Sequence, residues 1–204
     1  MFISLVVSLC LLQGVLGAAI TTSIGGGGER ACSNPSLGGF ILYAQMKGSR
    51  ATYPVRLLAN AGTPAVSHMV VSIDEDCKSC GEAPGSWNLS KKIVTANLVN
   101  TPEGYQTINQ AVSSNASPSF ITTPNDKVTY PIYCAVGTPS VSTIPVYLLS
   151  VNGTASKWYM CGSSQLQGLY TIIYDNLVAR PIGTTCFPVN LVMQRLIPIE
   201  PGPA

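Results

Sequence analysis

Charged side chains are scarce in this sequence. They make up 10% of its 204 residues, whereas about a quarter is usual in a soluble domain. Proteins that bind nucleic acid concentrate Lys and Arg on one face, but here the only adjacent basic pair is Lys91-Lys92. We therefore expect no nucleic-acid partner. The 46% of apolar residues also excludes a disordered chain, because disordered chains are charged and poor in apolar residues.

Helical periodicity and histidine are equally scarce. No segment repeats apolar residues every 3.6 positions between helix caps, and fifteen prolines oppose long helices. The single histidine, His68, alternates with apolar neighbours, which is typical of a packing residue rather than a general base. There is no Gly-x-Ser-x-Gly elbow, and nothing singles out a catalytic carboxylate pair such as Asp126 with Asp175. We expect neither enzymatic activity nor a cofactor.

Ligand sets for a metal ion are incomplete. Cys77-Lys-Ser-Cys80 is the only CxxC motif, and one histidine does not supply the remaining ligands of a tetrahedral zinc site. The acidic run Asp74-Glu-Asp76 lacks the spacing, central glycine and distal glutamate of an EF-hand. We interpret that run as a solvated loop and predict no metal site.

The longest hydrophobic run lies at the N-terminus. Phe2–Leu12 is followed by small residues, as in a secretory signal peptide, and is shorter than the roughly 20 residues of a membrane span. The sequence predicts a signal peptide at 1–18, a flexible Gly-rich segment at 19–31, a single all-β domain at 32–198 and a C-terminal tail at 199–204. The mature protein is then expected to be secreted, extracellular or cell-wall associated, and without a membrane anchor.

Six cysteines remain after the predicted signal: Cys32, Cys77, Cys80, Cys134, Cys161 and Cys186. In a secreted protein this even number predicts three disulfides, among fifteen possible connectivities. A local bond can join Cys77 to Cys80 within the CxxC motif. For the others, the order of predicted strands suggests Cys134 with Cys161, and Cys32 with Cys186.

Eleven short segments are rich in β-branched and aromatic residues and bounded by Gly, Pro, Asn and Ser, which predicts strands. They are Phe40–Gln45, Tyr53–Ala59, His68–Ile73, Ile93–Val99, Tyr105–Val112, Ser119–Thr122, Val128–Val136, Ile144–Val151, Lys157–Cys161, Leu169–Tyr174 and Phe187–Leu196. The sequence therefore predicts an all-β protein.

An internal repeat suggests how these strands are arranged. Pro-Val-x-Leu-Leu occurs at Pro54–Leu58 and at Pro145–Leu149. Three alanines are each followed nine residues later by the start of another strand: Ala44 by Tyr53, Ala96 by Tyr105 and Ala135 by Ile144. An inserted loop at Asp74–Trp87 explains why the first copy is longer. Three such copies predict a β-trefoil-like fold; the alternative is a two-sheet β-sandwich.

Two sequons, Asn88-Leu-Ser90 and Asn152-Gly-Thr154, predict N-glycosylation of Asn88 and Asn152. The signal peptide, the cysteines, these sequons and the strands Phe40-x-Leu42-x-Ala44 and Pro-Val-x-Leu-Leu resemble small secreted fungal β-rich proteins of unknown function. The resemblance implies an extracellular or cell-wall-associated protein, such as an effector or a surface glycoprotein. It assigns no catalytic or binding residue.

Two kinds of partner follow from these features. The first is a glycan, bound by a glycan- or cell-wall-binding module in which Trp87, expected to be exposed in the inserted loop beside Asn88, stacks on a sugar ring. The alternative is a secreted or surface protein. In that case the loop between Cys77 and Cys80 presents Lys78 to a trypsin-like protease, or the protein has a structural role at a surface.

Overall fold

The computed structural model describes residues 32, 34–74, 77, 79–124, 129–138, 146–163, 168–175 and 184–196. These ranges contain twelve β-strands and no helix, which confirms the predicted all-β class. The strands are β1 (Leu37–Met46), β2 (Thr52–Asn60), β3 (Thr63–Ser72), β4 (Ser86–Ser90), β5 (Ile93–Asn97), β6 (Tyr105–Asn109), β7 (Ser119–Pro124), β8 (Tyr133–Gly137), β9 (Tyr147–Val151), β10 (Trp158–Ser163), β11 (Leu169–Tyr174) and β12 (Thr184–Arg195). The predicted signal peptide, the Gly-rich segment and the tail at 199–204 lie outside the described residues.

Alternation of buried and exposed side chains explains the longest strands. In β1 the side chains of Phe40, Leu42 and Ala44 are buried, and the residues between them are more exposed. In β12 the same two-residue period buries Val189, Leu191 and Met193. Successive side chains of a strand point to opposite faces, so β1 and β12 each contribute one apolar face to the interior.

Nine of the twelve described strands form a closed, antiparallel ring. From β1 the pairing runs through β4, β5, β6, β7, β3, β11, β10 and β12 and returns to β1, which makes a ring of nine strands. Strand β2 pairs with both β1 and β3, and therefore lies between two members of the ring. Strand β9 pairs with β12, and β8 pairs with β9.

One strand of this ring, β4, is absent from the predicted set. Its first two residues, Ser86 and Trp87, lie at the end of the predicted inserted loop, and the other three follow that loop. Trp87 and Leu89 alternate with exposed neighbours, which is the pattern of a half-buried strand. The strand turns into β5 through Lys91 and Lys92, both of which have positive φ angles.

The side chain of Trp87 lies in the hydrophobic core and not at the surface. Its side chain is 1% exposed and meets Phe120 edge to face, with ring centroids 5.5 Å apart. The expectation of an exposed Trp87 is therefore wrong, because the residue lies on the inward face of β4. Trp158 is also fully buried, and its indole N–H donates to the carbonyl oxygen of Leu149 at 2.8 Å.

Three disulfides join all six of the cysteines beyond the predicted signal. The local bond between Cys77 and Cys80 is confirmed. The other two predicted pairings are wrong, since the bonds are Cys32–Cys134 and Cys161–Cys186.

The tertiary pairing of the strands accounts for both corrections. Cys161 and Cys186 are direct partners across β10 and β12. Cys32 is close to Cys134 because nearby Asn34 forms a bridge with Ala135 in β8. A bond that closes a loop of about 100 residues stabilises a fold by about 4.7 kcal/mol in the chain-entropy description.

Candidate functional site

A cleft of about 370 Å³ opens beside β2. Its apolar lining comes from β2 and from Leu98, and polar groups come from the β3–β4 connection, β3, β7 and the β5–β6 connection. The lining residues are Leu57, Leu58, Ala59, Ser67, Ser79, Gly81, Glu82, Leu98, Asn100, Thr101 and Thr122. Ligand sites in proteins commonly combine such an apolar surface with a few polar groups.

The wall at residues 79–82 is held tightly against β2. The backbone of Glu82 exchanges two hydrogen bonds with Leu57, both 2.8 Å long. Gly81 has a φ of +88°, and a Cβ atom there would lie 2.6 Å from the carbonyl oxygen of Leu57. Only glycine fits this close approach without strain. The Cys77–Cys80 disulfide closes the preceding turn, so the wall is covalently and sterically fixed.

Residues 98–101, which we call the ridge, supply another part of the lining through Leu98, Asn100 and Thr101. The backbone N–H of Val99 donates to the Glu82 carboxylate at 3.1 Å, which joins the ridge to the wall at 79–82. Val99 itself is 83% exposed. The hydroxyl oxygen of Thr101 is buried and has no hydrogen-bond partner among the described residues. A buried polar atom without a partner marks a position where a bound molecule or water can complete the hydrogen bonding.

A second depression of about 240 Å³ adjoins the same ridge. Leu98 and Thr101 line both hollows, which are therefore contiguous. The second hollow also contains Asn97, Glu103 and Tyr105. We call the two hollows together the ridge site.

Tyr105 is the aromatic residue of the ridge site. It follows a turn in which Gly104 has a φ of +77°, and its backbone N–H donates to the carbonyl oxygen of Pro102 at 3.1 Å. Its side chain is 45% exposed. Tyr105 thus lies at the surface, and Glu103 and Asn97 line the same hollow.

The residues singled out from the sequence lie mainly elsewhere. Lys78 is outside the described residues, and Trp87 is in the core. Asn88 is exposed in β4 and stands opposite Thr95, which lines the smaller hollow. Asn152 is exposed at the turn after β9. Sequence reasoning therefore missed the ridge site, although Pro102 and Gly104 ahead of an aromatic strand residue were a usable signal for an exposed turn.

His68 and Asp175 have contacts typical of structural residues. His68 Nδ1 lies 2.8 Å from the Asn60 amide oxygen, and burial lowers the pKa of the imidazole. The hydroxyl of Ser114 donates to Asp175 at 2.7 Å, and the Lys157 ammonium lies 3.3 Å from the same carboxylate. The Ser114 hydrogen bond, followed by Lys157, lowers the pKa of Asp175 despite the opposing effect of burial. Asp126, its suggested catalytic partner, lies outside the described ranges.

Within the described ranges, no three His, Cys, Asp or Glu side chains are grouped so that they could hold a metal ion. The same ranges contain no helix that could span a membrane. Comparison with protein-family models, curated proteins and solved structures finds no match for this chain.

Proposed function

We propose that this protein is a secreted, N-glycosylated glycan-binding module without enzymatic activity, which binds cell-wall or surface glycans through the ridge site. The observation that carries the proposal is that the half-exposed Tyr105 lines the same hollow as Glu103 and Asn97. An aromatic ring offers a flat apolar face to the C–H face of a pyranose, while carboxylate and amide groups can bond its hydroxyls.

An extracellular location is supported by the three disulfides, because such bonds persist in oxidising compartments. Exposure of Asn88 and Asn152 supports glycosylation at both sequons. Because Asn88 stands opposite Thr95, a glycan on Asn88 would lie next to the smaller hollow. Binding experiments therefore need the Asn88→Gln protein beside the wild type.

The pairing of the strands favours a β-trefoil as the scaffold of this module. Three consecutive hairpins, β2–β3, β6–β7 and β10–β11, recur at intervals of four strands. The pairs β4–β5, β8–β9 and β12–β1 repeat at the same interval. The pairs β1–β4 and β9–β12 are equivalent but eight strands apart, and the intermediate pair β5–β8 does not form among the described strands. Pairings that recur every four strands are what three equivalent four-stranded units produce.

These units would be β1–β4, β5–β8 and β9–β12, so the sequence alignment needs one adjustment. Ala44 and Ala96 lie in β1 and β5, the first strands of two units. Ala135 lies in β8, the last strand of the second unit. The third copy in the sequence alignment therefore begins one strand too early.

Glycan-array screening of the mature protein tests the proposed binding. We expect defined oligosaccharides to bind, and we expect Tyr105→Ala to weaken that binding about tenfold through the loss of ring contact. Tyr130→Ala is the matched control, because Tyr130 is 37% exposed and does not line either hollow. Absence of binding to every glycan and wall polysaccharide, or an equal loss in both variants, would reject the proposal.

A protein-interacting role is the second candidate, and the fixed wall at 79–82 favours it. The disulfide restrains Cys77 and Cys80, and the close contact with Leu57 restrains Gly81; restraint of this kind is what an inhibitory loop requires. Trypsin inhibition should then be present in the wild type and lost in Lys78→Ala. No inhibition at micromolar protein would remove this candidate.

A further inference from the structure

We propose that the two hollows of the ridge site act as adjoining subsites for an oligosaccharide, and that the site prefers amine-bearing sugars over acidic ones. This inference rests on the proposed glycan binding and deepens it. One subsite is the smaller hollow with Tyr105, and the other is the larger cleft with Glu82.

The shared wall is the reason for expecting more than one sugar. Leu98 and Thr101 line both hollows, so a chain that lies against one can continue over the ridge into the other. The volumes of about 370 and 240 Å³ are each at the scale of a small-ligand pocket or somewhat below it. A ligand that occupies both adds the contacts of the second hollow without a second loss of translational freedom.

The hydroxyl of Thr101 supplies a polar anchor at the junction. Its oxygen is buried without a partner among the described residues. Because this oxygen is not accessible from the surface, a sugar hydroxyl or amine crossing the ridge can donate to it only after the Thr101 side chain rotates about χ1. The bond would remove the cost of a buried, unpaired polar atom, which favours a ligand that passes over the ridge.

The charge of the residues that line the two hollows favours some classes of sugar over others. Each hollow contains one carboxylate, Glu82 in the larger and Glu103 in the smaller. The described residues that line them include no Lys, Arg or His. A uronate or sulfated sugar would place its negative charge beside these carboxylates, whereas the ammonium of a glucosamine unit would be attracted to them.

The geometry of Glu82 is suited to holding such an ammonium. One of its oxygens accepts the Val99 N–H at 3.1 Å, and its backbone is fixed by the two hydrogen bonds with Leu57. The carboxylate is thus oriented before a ligand arrives. A pre-oriented group loses little conformational entropy on binding.

Calorimetric titration of the Asn88→Gln protein tests both parts of the proposal. The probes are glucosamine, its dimer and its tetramer, with the N-acetylglucosamine tetramer and the galacturonate tetramer for comparison. We expect the tetramer of glucosamine to bind at least about tenfold more tightly than the monomer. Among the three tetramers, we expect that of glucosamine to bind most tightly, that of N-acetylglucosamine less tightly and that of galacturonate most weakly. The preference for glucosamine should weaken as salt is added.

Two conservative variants assign the subsites. Glu82→Gln keeps an oxygen for the Val99 N–H and should lower glucosamine-tetramer affinity about fivefold, with little effect on the N-acetylglucosamine tetramer. Thr101→Val should reduce tetramer affinity and leave monomer affinity unchanged. Tyr130→Ala is again the control, and unfolding midpoints equal to that of the wild type show that the variants are folded.

The outcomes separate this inference from the proposed function. Binding that depends on Tyr105 but not on chain length would leave glycan binding in place and overturn the two-subsite inference. Galacturonate binding as tight as glucosamine binding would overturn the charge preference. Failure of all five probes to bind would overturn this inference, and a positive glycan array with other sugars would still support the proposed function.

Discussion

The indole of Trp87 meets the ring of Phe120 edge to face, with centroids 5.5 Å apart and ring planes inclined at 71°. Trp87 belongs to β4 and Phe120 to β7, strands that are not paired with each other in the ring. The contact therefore crosses the interior and joins distant parts of the sheet. Both side chains are almost completely buried.

Replacement of Trp87 should act on stability. We expect Trp87→Ala to lower the free energy of unfolding by about 3–5 kcal/mol, because it leaves a large cavity in the core. Trp87→Phe should lose less, since it retains an aromatic ring near Phe120. Urea unfolding followed by circular dichroism measures both changes. A wild-type midpoint for Trp87→Ala would contradict the burial of this residue.

The turn between β4 and β5 offers a stabilising change. Lys91 and Lys92 have φ angles of 49° and 68°, as a two-residue hairpin turn of type I′ requires, although Asn-Gly is the preferred sequence there. We expect the double replacement Lys91→Asn with Lys92→Gly to raise the free energy of unfolding by about 1 kcal/mol. The backbone bonds of Lys92 to Pro35 and Tyr133 can persist in this variant.

Replacement of both lysines by alanine is the matched control for the turn. It removes the same two charges and keeps a Cβ atom at each positive φ angle, so it should not stabilise the protein. Equal stabilisation of both double variants would attribute the effect to charge rather than to backbone conformation. Thermal unfolding at matched pH distinguishes the two results.

The phenol of Tyr133 is buried in β8, and its oxygen has no hydrogen-bond partner within the described structure. Burial, with a smaller contribution from Tyr174, raises the pKa of Tyr133. We expect Tyr133→Phe to increase the free energy of unfolding by about 1 kcal/mol, because it removes a desolvated hydroxyl and keeps the ring. Tyr105→Phe, at an exposed position, should change stability little. A loss of stability in Tyr133→Phe would contradict this expectation, because it would mean that the hydroxyl makes a stabilising hydrogen bond.

Asp175 should make stability depend on acid pH. Its folded-state pKa is below its ordinary value, first because of the hydrogen bond from Ser114 and then because of Lys157. Between the folded and the ordinary pKa, the unfolded chain therefore binds more protons than the folded protein. The stabilisation by the Asp175 carboxylate is fully present above the ordinary aspartate pKa and is lost as the pH falls through the folded pKa.

The corresponding variant is Asp175→Asn. We expect it to be less stable than the wild type by about 1.5 kcal/mol at pH 7, from the loss of a charge-assisted hydrogen bond. The difference should shrink as the pH falls below 4. Chemical unfolding at a series of pH values measures it. A constant difference from pH 7 to pH 2 would contradict the role of the carboxylate charge.

Local pattern accounts for the parts of the fold that the sequence predicts well. The bounds of β11 coincide with the predicted segment Leu169–Tyr174, because its apolar and β-branched residues form an isolated run. Strand β4 was not predictable with the same ease, since it is five residues long and follows a Pro and a Gly. The alternation of buried and exposed side chains in β4 can be recognised as that of a strand only when β1 and β5 are known to flank it.

The candidate site was less accessible to sequence reasoning than the strands. An aromatic residue next to a sequon suggested Trp87, but exposure depends on which face of a strand is covered. A shift of one residue exchanges the two faces of a strand, and only its neighbours decide which face is inside. The ridge site combines Glu82, Leu98 and Tyr105, which lie in separate connections and strands.

The all-β class and the local Cys77–Cys80 bond were predictable from the amino-acid sequence alone. Both follow from interactions within a few residues, namely the two-residue apolar period and the short span of the CxxC motif. The bonds Cys32–Cys134 and Cys161–Cys186, the burial of Trp87 and the two hollows beside the ridge became known only from the folded structure. These depend on which distant strands become neighbours, and that is set by the free energy of the whole packed core rather than by any one segment.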